Sequence, residues 1–346
     1  MKRIITCSDG TWNKPGQRDR GVVVETNVQK IFKAIAPKDD KENVQLKFYD
    51  QGVGTGVSLV DEIMGGATGA GLDKNICDAY KFILWNFDPG DELYHFGFSR
   101  GAFTARSLVG FIRYCGILKP ENLHLVNEAY QLYRDQTKLT NPDSDLMVTF
   151  RKRYSRETKV KFVGVWDTVG ARGIPLKAFK KLNTKRYEFY DTKLSSTVQY
   201  AYHALAINEK RKLFEPTLWQ KSDTVRIDPK HPQVMEQVWF KGVHSNVGGG
   251  YADNGLSDLA LDWMMGKAEA TGLSIDNSKL PKSHPNPPRY EQRDSFTFMY
   301  WFSGSKPREV CNKADNNESV HESVWKLYAD SKEKLPKALR KLRPPS

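Results

Sequence analysis

Cysteine is scarce: Cys7, Cys77, Cys115 and Cys311 are the only four in 346 residues. They form no CxxC pair, and none has a histidine at zinc-ligand spacing. A disulfide framework and a zinc site are therefore excluded, buried thiols are expected, and neither a metal nor a cofactor is called for. Long hydrophobic runs are missing too. Stretches such as Phe82-Ile83-Leu84-Trp85 fall far below the ~18 residues that a spanning helix needs, so no transmembrane segment is expected. Met1-Lys2-Arg3-Ile4-Ile5 meets Thr6, Cys7, Ser8 and Asp9 before a signal-peptide core can form. The expectation is cytoplasmic synthesis, with any export left to a system that needs no signal peptide. Internal repeats and low-complexity linkers are also lacking, and the prolines clustered at 281–288 read as a loop.

What remains is an ordinary globular composition, 39% apolar and 27% charged, which excludes disorder, collagen and coiled coil. Lys plus Arg number 53 against 41 acidic residues, a net charge of +12. This charge is spread along the chain, so peripheral contact with an anionic membrane surface is the partner it suggests, and nucleic acid is not expected. The tail concentrates it: Lys326, Lys332, Lys334, Lys337, Arg340, Lys341 and Arg343 recur around Leu327, Leu335, Leu339 and Leu342. The division is thus one domain over 1–325 and a basic tail over 326–346, read as a solvated helix face.

β-Branched and aromatic segments alternate with helical ones, the pattern of a mostly parallel sheet covered by helices on both faces. Strands are predicted at 3–7, 44–49, 91–96, 159–166, 237–243 and 295–302, and helices at 26–36, 73–86, 103–115, 196–207 and 257–270. Segments 116–158 and 276–292 read as insertions that could cap a site. Ligands on such a sheet sit at the carboxyl ends of the strands.

The sharpest local signal stands at one of these ends. Gly97-Phe98-Ser99-Arg100-Gly101 follows the run Leu93-Tyr94-His95-Phe96 and precedes a helical stretch, which makes it a nucleophile elbow. Gly97 and Gly101 flank the serine because a side chain at either would collide with the neighbouring strand or helix. A serine hydroxyl needs a histidine base held by a carboxylate. Asp167, in Val165-Trp166-Asp167-Thr168, and His244, in Val243-His244-Ser245-Asn246, follow at the ends of the next two predicted strands, in the chain order Ser, Asp, His. His321 is the alternative base, disfavoured by its charged, helix-like surroundings, and His95 reads as a core histidine. For the oxyanion, Arg100 supplies one backbone N–H. The other is assigned to the loop Ser8-Asp9-Gly10-Thr11, where Gly10 frees the backbone, Thr11 presents its amide and Asp9 orients the turn. Asp50 also ends a strand, but no proper ligand set joins it to Asp9. The glycines at 52–56 and 65–71 lack the ending of a P-loop.

Taken together, Cys7-Ser8-Asp9-Gly10-Thr11-Trp12-Asn13, Tyr49-Asp50-Gln51-Gly52-Val53-Gly54-Thr55, the Ser99 elbow through Arg106, the Asp167 strand end, and Gly242-Val243-His244-Ser245-Asn246-Val247-Gly248-Gly249-Gly250-Tyr251 resemble a known family. It is the uncharacterised α/β-hydrolase domain family that includes phospholipase effectors of type VI secretion systems. The resemblance runs from residue 3 to about residue 325. It implies an α/β-hydrolase fold, a triad of Ser99, Asp167 and His244, and hydrolysis of carboxylic esters, with phospholipid acyl bonds as the lead substrate class. Where Asn246 stands, the family pattern leads one to expect an acid. Two rival readings remain: a noncatalytic protein that binds anionic lipid or nucleic acid, and a hydrolase of an amide, thioester or polyester bond.

Overall fold

A computed structural model describes residues 1–10, 13–52, 68–135, 137–169, 192–228, 230–282, 289–295, 304–312, 316–331 and 333–342. Among these, seven parallel strands build one sheet: β1 (Arg3–Ser8), β2 (Gln45–Asp50), β3 (Glu92–Phe98), β4 (Val160–Trp166), β5 (Val198–Ala206), β6 (Val234–Phe240) and β7 (Glu318–Val320). Their order is β7-β6-β5-β4-β3-β1-β2. From β1 the chain goes first to one side, to β2, and then to the other, to β3. The carboxyl ends of β1 and β3 therefore flank a topological switch point, where a sheet of this kind opens a crevice.

The principal helices are α1 (Asn27–Ala34), α2 (Thr68–Asn86), α3 (Arg100–Cys115), α4 (Val126–Asp135), α5 (Asp145–Tyr154), α6 (His244–Gly248), α7 (Gly255–Ala270) and α8 (Glu322–Ser331). The alternation along β4 shows how both faces are covered. Val163 and Val165 join the cluster under α2, α3 and α4, while Phe162 and Trp166 join the cluster under α1 and α7. Thr26 caps α1, its hydroxyl accepting the Gln29 N–H at 3.1 Å.

One expected element changes type. The stretch read as a helix at 196–207 is β5, paired with β4 on one side and β6 on the other. Ala201, Ala204 and Ala206 favour helix intrinsically, but a central strand buried on both faces needs no polar alternation, and packing overrides intrinsic preference. The strands that deliver Asp167 and His244 are consequently not neighbours, since β5 lies between them. The expected strand at 295–302 falls almost wholly outside the described residues.

Segment 116–158 is an excursion closed by an antiparallel pair, Ile117–Leu118 with Ser155–Arg156. It packs on the far half of α3, where Phe111 meets the rings of Tyr130 and Tyr133 at 5.4 and 5.7 Å. The tail is not a free face. The 325/326 boundary falls inside α8, and Leu339, fully buried, joins Leu205, Ile207, Trp239, Val324 and Tyr328 in a small third core over the β6–β7 edge. Among the described residues no helix is long and apolar enough to cross a membrane.

Candidate active site

β3 ends and α3 begins within one residue, and Ser99 is that residue. Its backbone sits at φ 57, ψ −120, a conformation that costs a non-glycine residue roughly 1–3 kcal/mol and persists only where the surroundings impose it. Those surroundings are visible. A Cβ at Gly97 would run into the backbone of Gly101 and Ala102, and one at Gly101 into the carbonyl oxygens of Ser8 and Asp9. The sharp turn thus brings β3, α3 and the end of β1 closer together than any side chain allows. Ser99 is 7% exposed. Arg100 opens α3, whose first-turn amides carry the positive end of the helix dipole.

Asp167 follows β4, is fully buried and adopts φ 40. Its carboxylate takes the His244 imidazole at Nδ1, 2.5 Å from Oδ2, and the Ala206 N–H, 3.0 Å from Oδ1. Arg308 grips both oxygens, with Nη1 on Oδ1 and Nη2 on Oδ2 at 2.9 Å. Burial alone would raise this carboxyl, but the Arg308 charge and the His244 hydrogen bond win and hold it well below the ordinary carboxylate range. His244 moves the same way: burial lowers its pKa, and the hydrogen bond to Asp167 only partly offsets that.

His244 opens α6, which follows the end of β6 and packs against β5. The imidazole lies between the Phe98 ring, 4.6 Å away, and the Phe214 ring, 4.9 Å away and edge-on. Phe98 precedes Ser99, so this contact ties the histidine to the elbow. Gly248, one turn on, has no room for a Cβ against Phe98. The His244 N–H donates to Glu209 Oε2 at 3.2 Å, and Glu209 is buried on Arg211, which holds its carboxyl at about 2. Asn246 works as donor and acceptor together: Nδ2 donates to the Glu291 carbonyl at 3.0 Å while Oδ1 accepts the Val243 N–H at 3.2 Å. A carboxylate could not make the first bond, which accounts for an amide where an acid was expected.

The loop after β1 also comes to the elbow. A Cβ on Gly10 would stand 3.1 Å from Ser99 Cβ, so the bare glycine lets the loop press against the serine. However, the Gly10 N–H is bonded to Asp9 Oδ1 at 2.7 Å and is not available to an oxyanion. Thr11 lies outside the described residues. Asp9 accepts from the Gly10 N–H, from Thr26 Oγ1 at 2.7 Å and from Tyr49 Oη at 2.8 Å. With no cation among the described groups that act on it, burial pushes Asp9 up to about 6. Asp50 rises to about 7 through burial and the nearby Asp78.

The other histidines go elsewhere. His95 is a core residue bonded to Thr6 Oγ1 at 2.8 Å, with burial taking it down to about 3. His321 directly follows β7, contrary to its expected place in a helix-like tail. It stacks on Phe240 at 4.6 Å, its Nδ1 is bonded to Ser323 Oγ at 2.8 Å, and β7 stands four strands from β3. At ~4.8 Å per strand that is about 19 Å from the elbow. Among the described residues, no group of three or more His, Cys, Asp or Glu side chains is placed to hold a metal ion.

The fold is α/β, hydrolase-like, with a parallel central sheet between helices, and Asp167 and His244 meet at its carboxyl edge. The chain belongs to the family described as "T6SS, Phospholipase effector Tle1-like, catalytic domain", which matches residues 2–267. It is also 31% identical over 234 residues to the uncharacterized protein YEL023C of Saccharomyces cerevisiae, a match covering 62% of this chain and 32% of that protein. Two solved structures are similar at 19% identity. An uncharacterized protein from Pseudomonas aeruginosa has a TM-score of 0.43, covering 79% of this chain and 46% of that one. The Tle1 effector bound to the VgrG spike of the type 6 secretion system has a TM-score of 0.39, covering 73% and 52%. The chain thus spans about a third of the length of the yeast relative and about half of each solved chain.

Proposed function

We propose that the protein is a serine hydrolase that cleaves carboxylic esters of phospholipids through an acyl-enzyme. The observation that carries this reading is the short bond from His244 Nδ1 to Asp167, made by an imidazole packed against the ring that precedes the strained Ser99. In the reaction Ser99 Oγ attacks the ester carbonyl and His244 takes its proton. Asp167 fixes the imidazole so that Nδ1–H faces the carboxylate and Nε2 is the base. The Arg100 N–H and the helix dipole of α3 stabilise the oxyanion, with Thr11 as the second donor. The protonated His244 hands its proton to the leaving alcohol. Water, activated by the same imidazole, then releases the acid. Membership of a phospholipase effector family supports a lipid ester as substrate, and the +12 charge suits an anionic headgroup surface. A family built on secreted effectors also supports export without a signal peptide.

The test is incubation of the purified protein with phospholipid vesicles, followed by chromatography of the products. Free fatty acid and lysophospholipid should appear with wild type and fall at least about 10³-fold with Ser99→Ala. Release that survives this substitution refutes the serine assignment.

A further inference from the structure

The residue nearest the centre of the site that no motif announced is Arg308. It comes from an irregular segment 141 positions after Asp167 and is 8% exposed. Its guanidinium makes four contacts, two to the carboxylate and two to backbone. Nη1 also donates to the Ala206 carbonyl at 2.7 Å, and Nη2 to the Phe214 carbonyl at 2.6 Å. These two residues have their own places in the site: Ala206 ends β5 and gives its N–H to Asp167, and the Phe214 ring stands edge-on to His244. One planar fork therefore sets the Asp167 oxygens, the end of β5 and one wall of the imidazole slot.

We infer that Arg308 is a positioning residue for the Asp167–His244 pair, its fork fixing the plane of the carboxylate and its charge governing when the pair takes up a proton. The inference rests on the proposed serine mechanism. Electrostatically, Asp167 and Arg308 already cancel, so protonating His244 places a net positive charge in a buried site. Without Arg308 the same proton would make a neutral carboxylate–imidazolium pair, which burial tolerates far better. Among the described residues, the other charged groups acting on the imidazole are Arg211, which also lowers its pKa, and Glu209, which raises it. Glu209 is neutralised by Arg211, and His203 on β5, which accepts the Thr168 N–H at 3.1 Å and pairs with Gln237, is held neutral by burial at about 3. Arg308 thus leaves the base unprotonated, and the carboxylate aligned, at pH values where a lone Asp–His pair would already hold a proton.

The experiment is the rate of labelling by a fluorophosphonate, measured on the full chain from about pH 4.5 to about pH 9. Wild type, Arg308→Gln, Arg308→Lys and Ser99→Ala are compared, with circular dichroism to check folding. Arg308→Gln should lower the plateau rate at least about 10-fold and move the acid-limb midpoint up by about one pH unit or more. Arg308→Lys keeps the charge but not the fork, so its plateau should fall while its midpoint stays within about 0.3 unit of wild type. A folded Arg308→Gln with the wild-type midpoint overturns the inference. If that variant does not fold, Arg308→Lys decides, and a midpoint displaced by about a full unit overturns the inference. Labelling that persists in Ser99→Ala, or is absent from wild type, refutes the serine mechanism itself and not the role of Arg308.

Discussion

Two buried carboxylates stand at the same edge of the sheet, and they are pushed in opposite directions. Asp9, after β1, collects uncharged donors from Gly10, Thr26 and Tyr49 and rises to about 6. Asp167, after β4, has a guanidinium across both oxygens and an imidazole on one, and is driven well below the usual carboxylate range. Depth of burial does not separate them. A compensating cation does, and it makes one carboxylate a permanent anion while the other acts as a brace whose charge depends on pH. Groups with environments that diverge in this way mark the division of labour within a site.

The largest expected effects test that division. Asp167→Asn should reduce ester hydrolysis at least about 10³-fold, because the amide presents the wrong partner to Nδ1 and leaves Arg308 unpaired. Asp9→Asn should cost less than about 10-fold, since Asp9 touches no reacting group. Steady-state assays of the two side by side check this, and equal losses would erase the distinction. Gly248→Ala comes next. Its methyl displaces Phe98 and with it one wall of the imidazole slot, so activity should drop about 10- to 100-fold with the fold retained at a cost of about 1–3 kcal/mol.

The pH behaviour sharpens the comparison. The lowered His244 places the acid limb of kcat/KM below the ordinary histidine value of about 6.5, so activity should persist into mildly acidic buffer. Asp9 acts on stability with the opposite sign to an ion-paired carboxylate. Its folded pKa is raised, so its contribution is complete below about pH 4 and is lost as pH climbs through about 6, at a cost on the order of 1–3 kcal/mol. Denaturant melts of wild type against Asp9→Asn across that window should show wild type losing ground as pH rises. The smallest catalytic effect belongs to the third core, where Leu339→Ala should remove about 2–4 kcal/mol of stability and leave kcat within about two-fold.

Much of the candidate site's geometry was legible because it needs special backbone. A strained serine demands glycines at fixed offsets, so Gly97, Ser99 and Gly101 appear together in the sequence, and the strand ends before Asp167 and His244 show as apolar runs that stop at a polar residue. Arg308 was not legible, because a side chain that reaches a carboxylate across 141 positions from an irregular segment leaves no periodicity or motif. β5 was misread for a related reason: its alanines and its burial on both faces remove the alternation by which a strand declares itself. The bond of the Gly10 amide was not legible either, because its partner is the side chain of the residue before it, a bond that no spacing rule anticipates.

The most direct test of the central claim is to digest the fluorophosphonate-treated protein and locate the adduct by mass spectrometry. The account predicts a single modified peptide carrying the adduct on Ser99, abolished in both His244→Ala and Asp167→Asn. An adduct on another residue, or one on Ser99 that forms equally fast without His244, would contradict it.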